Sequence, residues 1–154
     1  MFISETVHIN ASPERLWELM TEVEQIKRWT PSLVSEDPLS PDPAKVGALS
    51  IMKIKEGSKI VEYESELAAF QPTNHLGIIL RGGNLGDGPM HVDYFMSPGE
   101  NCTIVTYEAR WEPHGLMLKL MTPLLTKMSQ RNAREAMHQL KIVAEQGVHT
   151  HIAP

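Results

Sequence analysis

The period of the hydrophobic pattern changes once along this chain, and that change limits the folds open to it. Between Ala48 and Glu112, apolar residues recur at every second position in segment after segment. The clearest segment is Ile60–Leu67, where Val61, Tyr63, Ser65 and Leu67 oppose Glu62, Glu64 and Glu66. Such alternation belongs to a strand with one face on a core and the other in water. Ala48–Lys55, His75–Arg81, Met90–Met96 and Asn101–Glu112 repeat it, separated by EGSK, Gln71-Pro72 and GGNLGDG at 82–88. Strands at hairpin distance predict one antiparallel, strongly curved sheet. Beyond Met117 the period becomes 3.6. Met117, Met121, Leu124, Met128, Asn132, Ala136, Leu140 and Val143 then share one face of a long helix, with Gly147 as its stop. Pro123 inside this pattern predicts a kink, or a true helix start at Thr122-Pro123.

The first third is mixed. Phe2 to Ile9 reads as a half-buried strand, with Ile3, Val7 and Ile9 opposite Ser4, Thr6 and His8. Ser12 caps a helix whose first position is Pro13, where a missing N–H is harmless. Leu16, Trp17 and Met20 share its apolar face. Thr21 and Glu24 match a capping box, so a second short helix is expected at once, carrying Ile26 and Trp29 and ending at Thr30-Pro31. Residues 35–47 read as loop around a weak edge strand. The predicted order is strand, two short helices, about six strands and one long helix. Only that helix is large enough to cover the apolar face of the sheet. One helix laid on a curved sheet need not fill the space beneath, so a cavity is expected.

Composition narrows the function. The chain has 154 residues, 42% hydrophobic and 21% charged, which suits one domain over 1–147 followed by a flexible tail, 148–154. No apolar run is long enough to span a membrane, and MFISETVHIN lacks the features of a signal peptide, so a cytoplasmic location is expected. The two N-x-[ST] matches, at Asn10 and Asn101, then carry little meaning. The net charge of −5, without a block of Lys or Arg, argues against nucleic acid as a partner. Cys102 is the only cysteine, so no internal disulfide or CxxC metal site exists. Nine methionines against three phenylalanines suit either an adaptable binding surface or a Met-tolerant core.

With these elements in place, the chain resembles the SRPBCC superfamily (START-related, birch-pollen-allergen-like), in its polyketide cyclase/dehydrase and lipid-transport group. The residues that carry the resemblance are Ile9-Asn10-Ala11-Ser12-Pro13-Glu14, then Leu16-Trp17, Arg28-Trp29, and late in the long helix Leu140-Lys141 and Ala144-Glu145. The resemblance implies an α+β helix-grip fold: a curved antiparallel sheet of about seven strands wrapped around the C-terminal helix, with two short helices after strand 1. It also implies a cavity for an apolar ligand. The superfamily contains lipid carriers, hormone sensors, polyketide cyclases and co-chaperones, and shares no catalytic motif, so no catalytic residue is transferred. Trp29 matches a position usually held by an aromatic near the cavity.

Other motifs read as structure. GGNLGDG lacks the phosphate-loop spacing, the lysine and the following helix, so a flexible hairpin connection turning at Asp87-Gly88 is expected. His138, His149 and His151 do not form a convergent ligand set, and neither a metal nor a cofactor is expected. Glu62, Glu64 and Glu66 form a solvated row, and Cys102 has no base partner.

The leading expectation is a binder of a small hydrophobic or amphiphilic ligand. Met52, Tyr63, Met90, Tyr94, Met96 and Tyr107 would line the sheet side, with Met121, Met128 and Asn132 on the helix side and Trp29 nearby. The tyrosines combine an apolar body with a polar tip, and fit cavity lining or a satisfied core. Asn132 either fixes a ligand's polar end or sits at the edge of a rotated stripe. A cyclase/dehydratase-type enzyme is the alternative, and would need an inward acid–base pair beside the tyrosines. A co-chaperone-like interaction module is the third reading, and predicts an exposed apolar patch, sought at Ile78–Leu80 and Leu116–Leu118. Composition and spacing leave the oligomeric state open.

Overall fold

The computed structural model describes residues 1–152, and the side chains of residues 1–146. Strand β1 is Phe2–Ile9, followed by helices α1 (Pro13–Thr21) and α2 (Val23–Trp29). Six more strands follow: β2 (Leu33–Pro38), β3 (Leu49–Glu56), β4 (Lys59–Gln71), β5 (His75–Gly82), β6 (Met90–Gly99) and β7 (Cys102–Trp111). Helix α3, Leu116–Ile152, completes the chain. The sheet is antiparallel throughout, in the order β1-β7-β6-β5-β4-β3-β2. This is the α+β helix-grip arrangement. The expected tail, 148–154, lies outside the residues whose side chains are described.

The strand order explains the two short helices. β1 and β2 occupy opposite edges of the sheet, so the chain must cross its whole width between Ile9 and Leu33. α1 and α2 make that crossing and bury Leu16, Leu19, Met20 and Trp29 on the way. The Ser12 hydroxyl accepts from the Arg15 N–H, and Pro13 opens α1 as expected. The join differs from the expected capping box. Thr21 is the last residue of α1, and its hydroxyl donates back to the Trp17 carbonyl at 2.7 Å. It is therefore not free to cap α2, whose N-cap is Glu22, with no side-chain cap.

α3 starts at Leu116, not at Thr122-Pro123, and continues past Gly147. Pro123 removes one N–H from the ladder, and the hydroxyls of Thr122 and Thr126 donate to the carbonyls of Leu118 and Thr122 on either side. The helix is seated by Ala133, Met137, Leu140, Val143 and Ala144. Met137, Leu140, Val143 and Ala144 meet Ile9, Leu16, Leu19, Trp29, Leu76, Met96 and Val105 in one continuous core. Ala133 packs beside it on Ile3, Val92 and Ala109. A further cluster, toward the start of the helix, joins Tyr63, Leu85 and Trp111 to Leu118 and Leu125 of α3.

GGNLGDG is anchored to the domain at Leu85, while Gly82, Gly83, Asn84, Gly86 and Asp87 are exposed. Leu85 is buried in the cluster with Tyr63 and Trp111, and the Trp111 indole N–H donates to its carbonyl. Gly83 lies against the Tyr63 ring with φ +53°, and a Cβ there would fall 2.4 Å from the ring. Only glycine fits that close approach.

Candidate functional site

The concave face of the sheet is built from register rows. One row carries Glu5, Tyr107, Tyr94 and Leu76 across β1, β7, β6 and β5. The next holds Ile3, Ala109, Val92, Ile78 and Leu67. Two further rows bring together Trp111, Met90, Leu80, Ser65 and Ser50, then Tyr63, Met52 and Glu36. Met52, Leu67, Ile78, Leu80, Met90, Tyr94 and Tyr107 are half-buried, so α3 leaves apolar surface accessible across the middle of this face.

Trp29, Tyr94 and Tyr107 form the aromatic base of the concave face. The Trp29 indole donates to the Leu19 carbonyl at 2.7 Å and meets Tyr94 edge-on, with ring centroids 6.2 Å apart. Tyr94 and Tyr107, cross-strand neighbours, have centroids 5.2 Å apart. Among the described residues neither phenol oxygen has a hydrogen-bond partner, and neither is sealed from access. Burial pushes Tyr107 up to about 12, and burial followed by the nearby Tyr107 pushes Tyr94 up as well. Both are therefore neutral donors at ordinary pH.

The other expected lining residues divide into three groups. Met52 and Met90 lie on the concave face, half-buried, whereas Met96 is buried in the main core. Tyr63 is on the inner row, but Gly83 covers its ring and its hydroxyl donates to Glu56, at the turn. Burial, then Glu56, pushes its phenol up to about 12. Met121, Met128 and Asn132 are exposed on α3. The helix face toward the sheet runs through Leu118, Thr122, Leu125, Ser129, Ala133, Met137, Leu140 and Ala144. Over the first half of the helix that line stands one residue away from the one expected, a rotation of about 100°. Asn132 thus sits off the seated line, as the rotated-stripe reading has it.

Two inward carboxylates escape the sequence reading. Glu5 lies on the same face of β1 as Ile3, Val7 and Ile9 and stands directly opposite Tyr107. The Gln130 amide and the Arg134 guanidinium of α3 donate to it. Alternation alone could have placed it. Glu36 stands opposite Met52 and accepts from the Ser50 hydroxyl at 3.1 Å; burial pushes its carboxyl up, partly offset by that hydrogen bond. A register irregularity between Leu33 and Ser35 breaks the alternation there, so spacing does not show which way Glu36 faces in the expected weak edge strand.

Two surface hollows lie away from the expected lining. One, of 340 Å³, is bounded by Pro89, His91, Arg110, Trp111, Glu112 and His114. The other, of 430 Å³, lies between Asn10–Pro13 and Pro98 with Asn101–Thr103. Among the described residues, no helix is long and apolar enough to cross a membrane.

Comparison with known proteins agrees with this fold. Residues 3–145 match the family described as polyketide cyclase / dehydrase and lipid transport. No curated protein matches the chain. Among solved structures, TTHA0849 from Thermus thermophilus is similar at 17% identity and a TM-score of 0.73, over 96% of this chain and 99% of that one. Ara h 8.0201 superposes at 8% identity and 0.71, over 95% and 98%. The di-domain ARO/CYC StfQ of the steffimycin biosynthetic pathway superposes at 11% and 0.73, over 96% of this chain and 46% of its own. At those identities the structures speak for the fold alone. The chain belongs to the polyketide cyclase / dehydrase and lipid transport family.

Proposed function

We propose that residues 1–147 act as one domain that binds a single small amphiphilic molecule between the sheet and α3. One observation carries this reading: two adjacent phenols, Tyr94 and Tyr107, stand on an otherwise apolar concave face with no hydrogen-bond partner among the described residues. Both hydroxyls are open to access in the free protein, and a molecule filling this face would cut them off from water at about 1–3 kcal/mol each unless it brings an oxygen that accepts from both. The half-buried Met52, Leu67, Ile78, Leu80 and Met90 would take the ligand's apolar body. Because the methionines are adaptable, selectivity would follow the polar end more than the shape of the tail.

The enzyme reading stays second. Glu5 stands beside Tyr107, but Gln130 and Arg134 engage its carboxylate. Glu36 lies at the opposite edge of the sheet.

Native mass spectrometry of protein purified without added ligand, followed by titration with a fluorescent fatty acid, tests the proposal. Saturable 1:1 binding is expected. The doubly substituted Tyr94→Phe, Tyr107→Phe protein should keep its fold and bind roughly tenfold more weakly. Absence of both a bound mass and saturable binding would overturn the proposal.

A further inference from the structure

The outward face of the first half of α3 is apolar where a surface helix should be polar. Leu116, Met117, Leu120, Met121, Leu124 and Met128 are between 42% and 77% exposed. They recur at helical spacing away from the seated line of Leu118, Leu125 and Ala133, so this part of α3 is apolar on both sides. A contiguous exposed stripe of this kind on a globular domain marks an interaction site.

Charge indicates what covers it. The protein carries 19 acidic and 14 basic residues, yet no Asp or Glu occurs from Pro113 to Arg134, where Lys119, Lys127, Arg131 and Arg134 all fall. Arg131 pairs with Glu135 and Arg134 with Glu5. Lys119 and Lys127 are exposed and have no ion-pair partner among the described residues. An apolar face edged by unpaired lysines is the arrangement by which a helix lies in the headgroup region of an anionic bilayer. A second copy docking face to face would instead set these cations against themselves.

We infer that this face of α3 docks the protein on an anionic membrane surface, with the leucines and methionines inserted and Lys119 and Lys127 at the lipid headgroups. It uses a different side of the helix from the ligand site and does not depend on that site.

Flotation of the purified protein with phosphatidylcholine vesicles, with and without about one-third phosphatidylserine, tests this inference. Binding is expected only to the anionic vesicles, and should fall as salt is raised. The doubly substituted Leu120→Glu, Leu124→Glu protein should lose at least about tenfold in affinity, and Lys119→Glu or Lys127→Glu about fivefold each. Both kinds of variant change exposed side chains, so circular dichroism and fatty-acid binding should match the parent protein. Absence of vesicle binding by the folded protein would overturn the inference. So would a light-scattering dimer that the Leu120→Glu, Leu124→Glu change dissolves, because the face would then belong to a second copy.

Discussion

Both halves of α3 carry large apolar side chains, but in opposite surroundings. From Ala133 to Ala144 the helix seats Ala133, Met137, Leu140, Val143 and Ala144 in buried positions and turns charged or polar residues outward. From Leu116 to Met128 it seats little more than Leu118 and Leu125, against Tyr63, Leu85 and Trp111, and leaves six large apolar side chains in water. The second half therefore contributes more buried apolar surface to the fold than the first. Segments that serve binding are commonly drawn from the less stable parts of a fold.

The largest expected effect would break that contrast directly. Leu140→Ala, at a fully buried position, should destabilise the protein by about 3–5 kcal/mol in urea unfolding. Leu124→Ala, the same chemical change in the exposed half, should alter stability by less than about 0.5 kcal/mol. Equal effects would mean that the halves are equally seated.

Gly83→Ala sharpens the comparison. A Cβ there meets the Tyr63 ring at 2.4 Å and must also adopt φ +53°, so a loss of about 1–3 kcal/mol is expected. Tyr63 belongs to the cluster under Leu118 and Leu125. Hydrogen exchange should accelerate over residues 118–125 more than over 133–144.

Alkaline titration reports on the concave face. The chain has three tyrosines, and all three phenols are pushed up, Tyr63 and Tyr107 to about 12. A raised folded value means that the folded state holds its protons where the unfolded chain releases them. Between about pH 10 and 12 this works against the folded state, because the unfolded chain gains by ionising first. Stability is therefore unaffected by these groups below about pH 10 and falls as pH rises toward about 12. Phenolate absorbance should stay flat near pH 10 and then rise together with unfolding. An ordinary phenol titration near pH 10 in the folded protein would contradict the burial of the aromatic base.

The smallest effect is expected at the far edge of the sheet. Burial pushes the Glu36 carboxyl up, so ionising it at neutral pH works against the folded state. Glu36→Gln keeps an acceptor for Ser50 and should be neutral or stabilising by about 0.5 kcal/mol in thermal unfolding at pH 7. A clear loss would show that the charge itself holds that edge.

Much of the fold is legible in the sequence because β3, β5, β6 and β7, and β4 as far as its irregularity between Leu67 and Ala69, each keep one period. Tyr63, Tyr94 and Tyr107 fall on inward rows as alternation requires. The helix stripe misleads because the first half of α3 is apolar all round. Spacing fits a line through Met117, Met121 and Met128 as well as one through Leu118 and Leu125, and only the fold decides between them. Capping fails at Thr21 because one hydroxyl serves either the preceding turn or the next helix, and here it bonds the Trp17 carbonyl. Composition shows GGNLGDG as a glycine-rich connection, but not that one of its glycines permits a close approach to Tyr63. The two inward glutamates are hard to see for different reasons. Glu5 is one charge on an otherwise apolar strand face, and Glu36 sits in a proline-rich stretch whose register is broken.

The central claim is that the ligand sits between the sheet and α3, away from the helix's outer stripe. Fluorescent fatty-acid titration of Ile78→Trp and Met128→Glu proteins side by side tests it most directly. Ile78 is half-buried on the concave face, and an indole there would occupy the space assigned to the ligand's tail. Ile78→Trp is expected to abolish 1:1 binding, and Met128→Glu to leave it unchanged. Binding that survives Ile78→Trp and disappears with Met128→Glu would place the ligand on the outside of the helix and contradict a site between the sheet and α3.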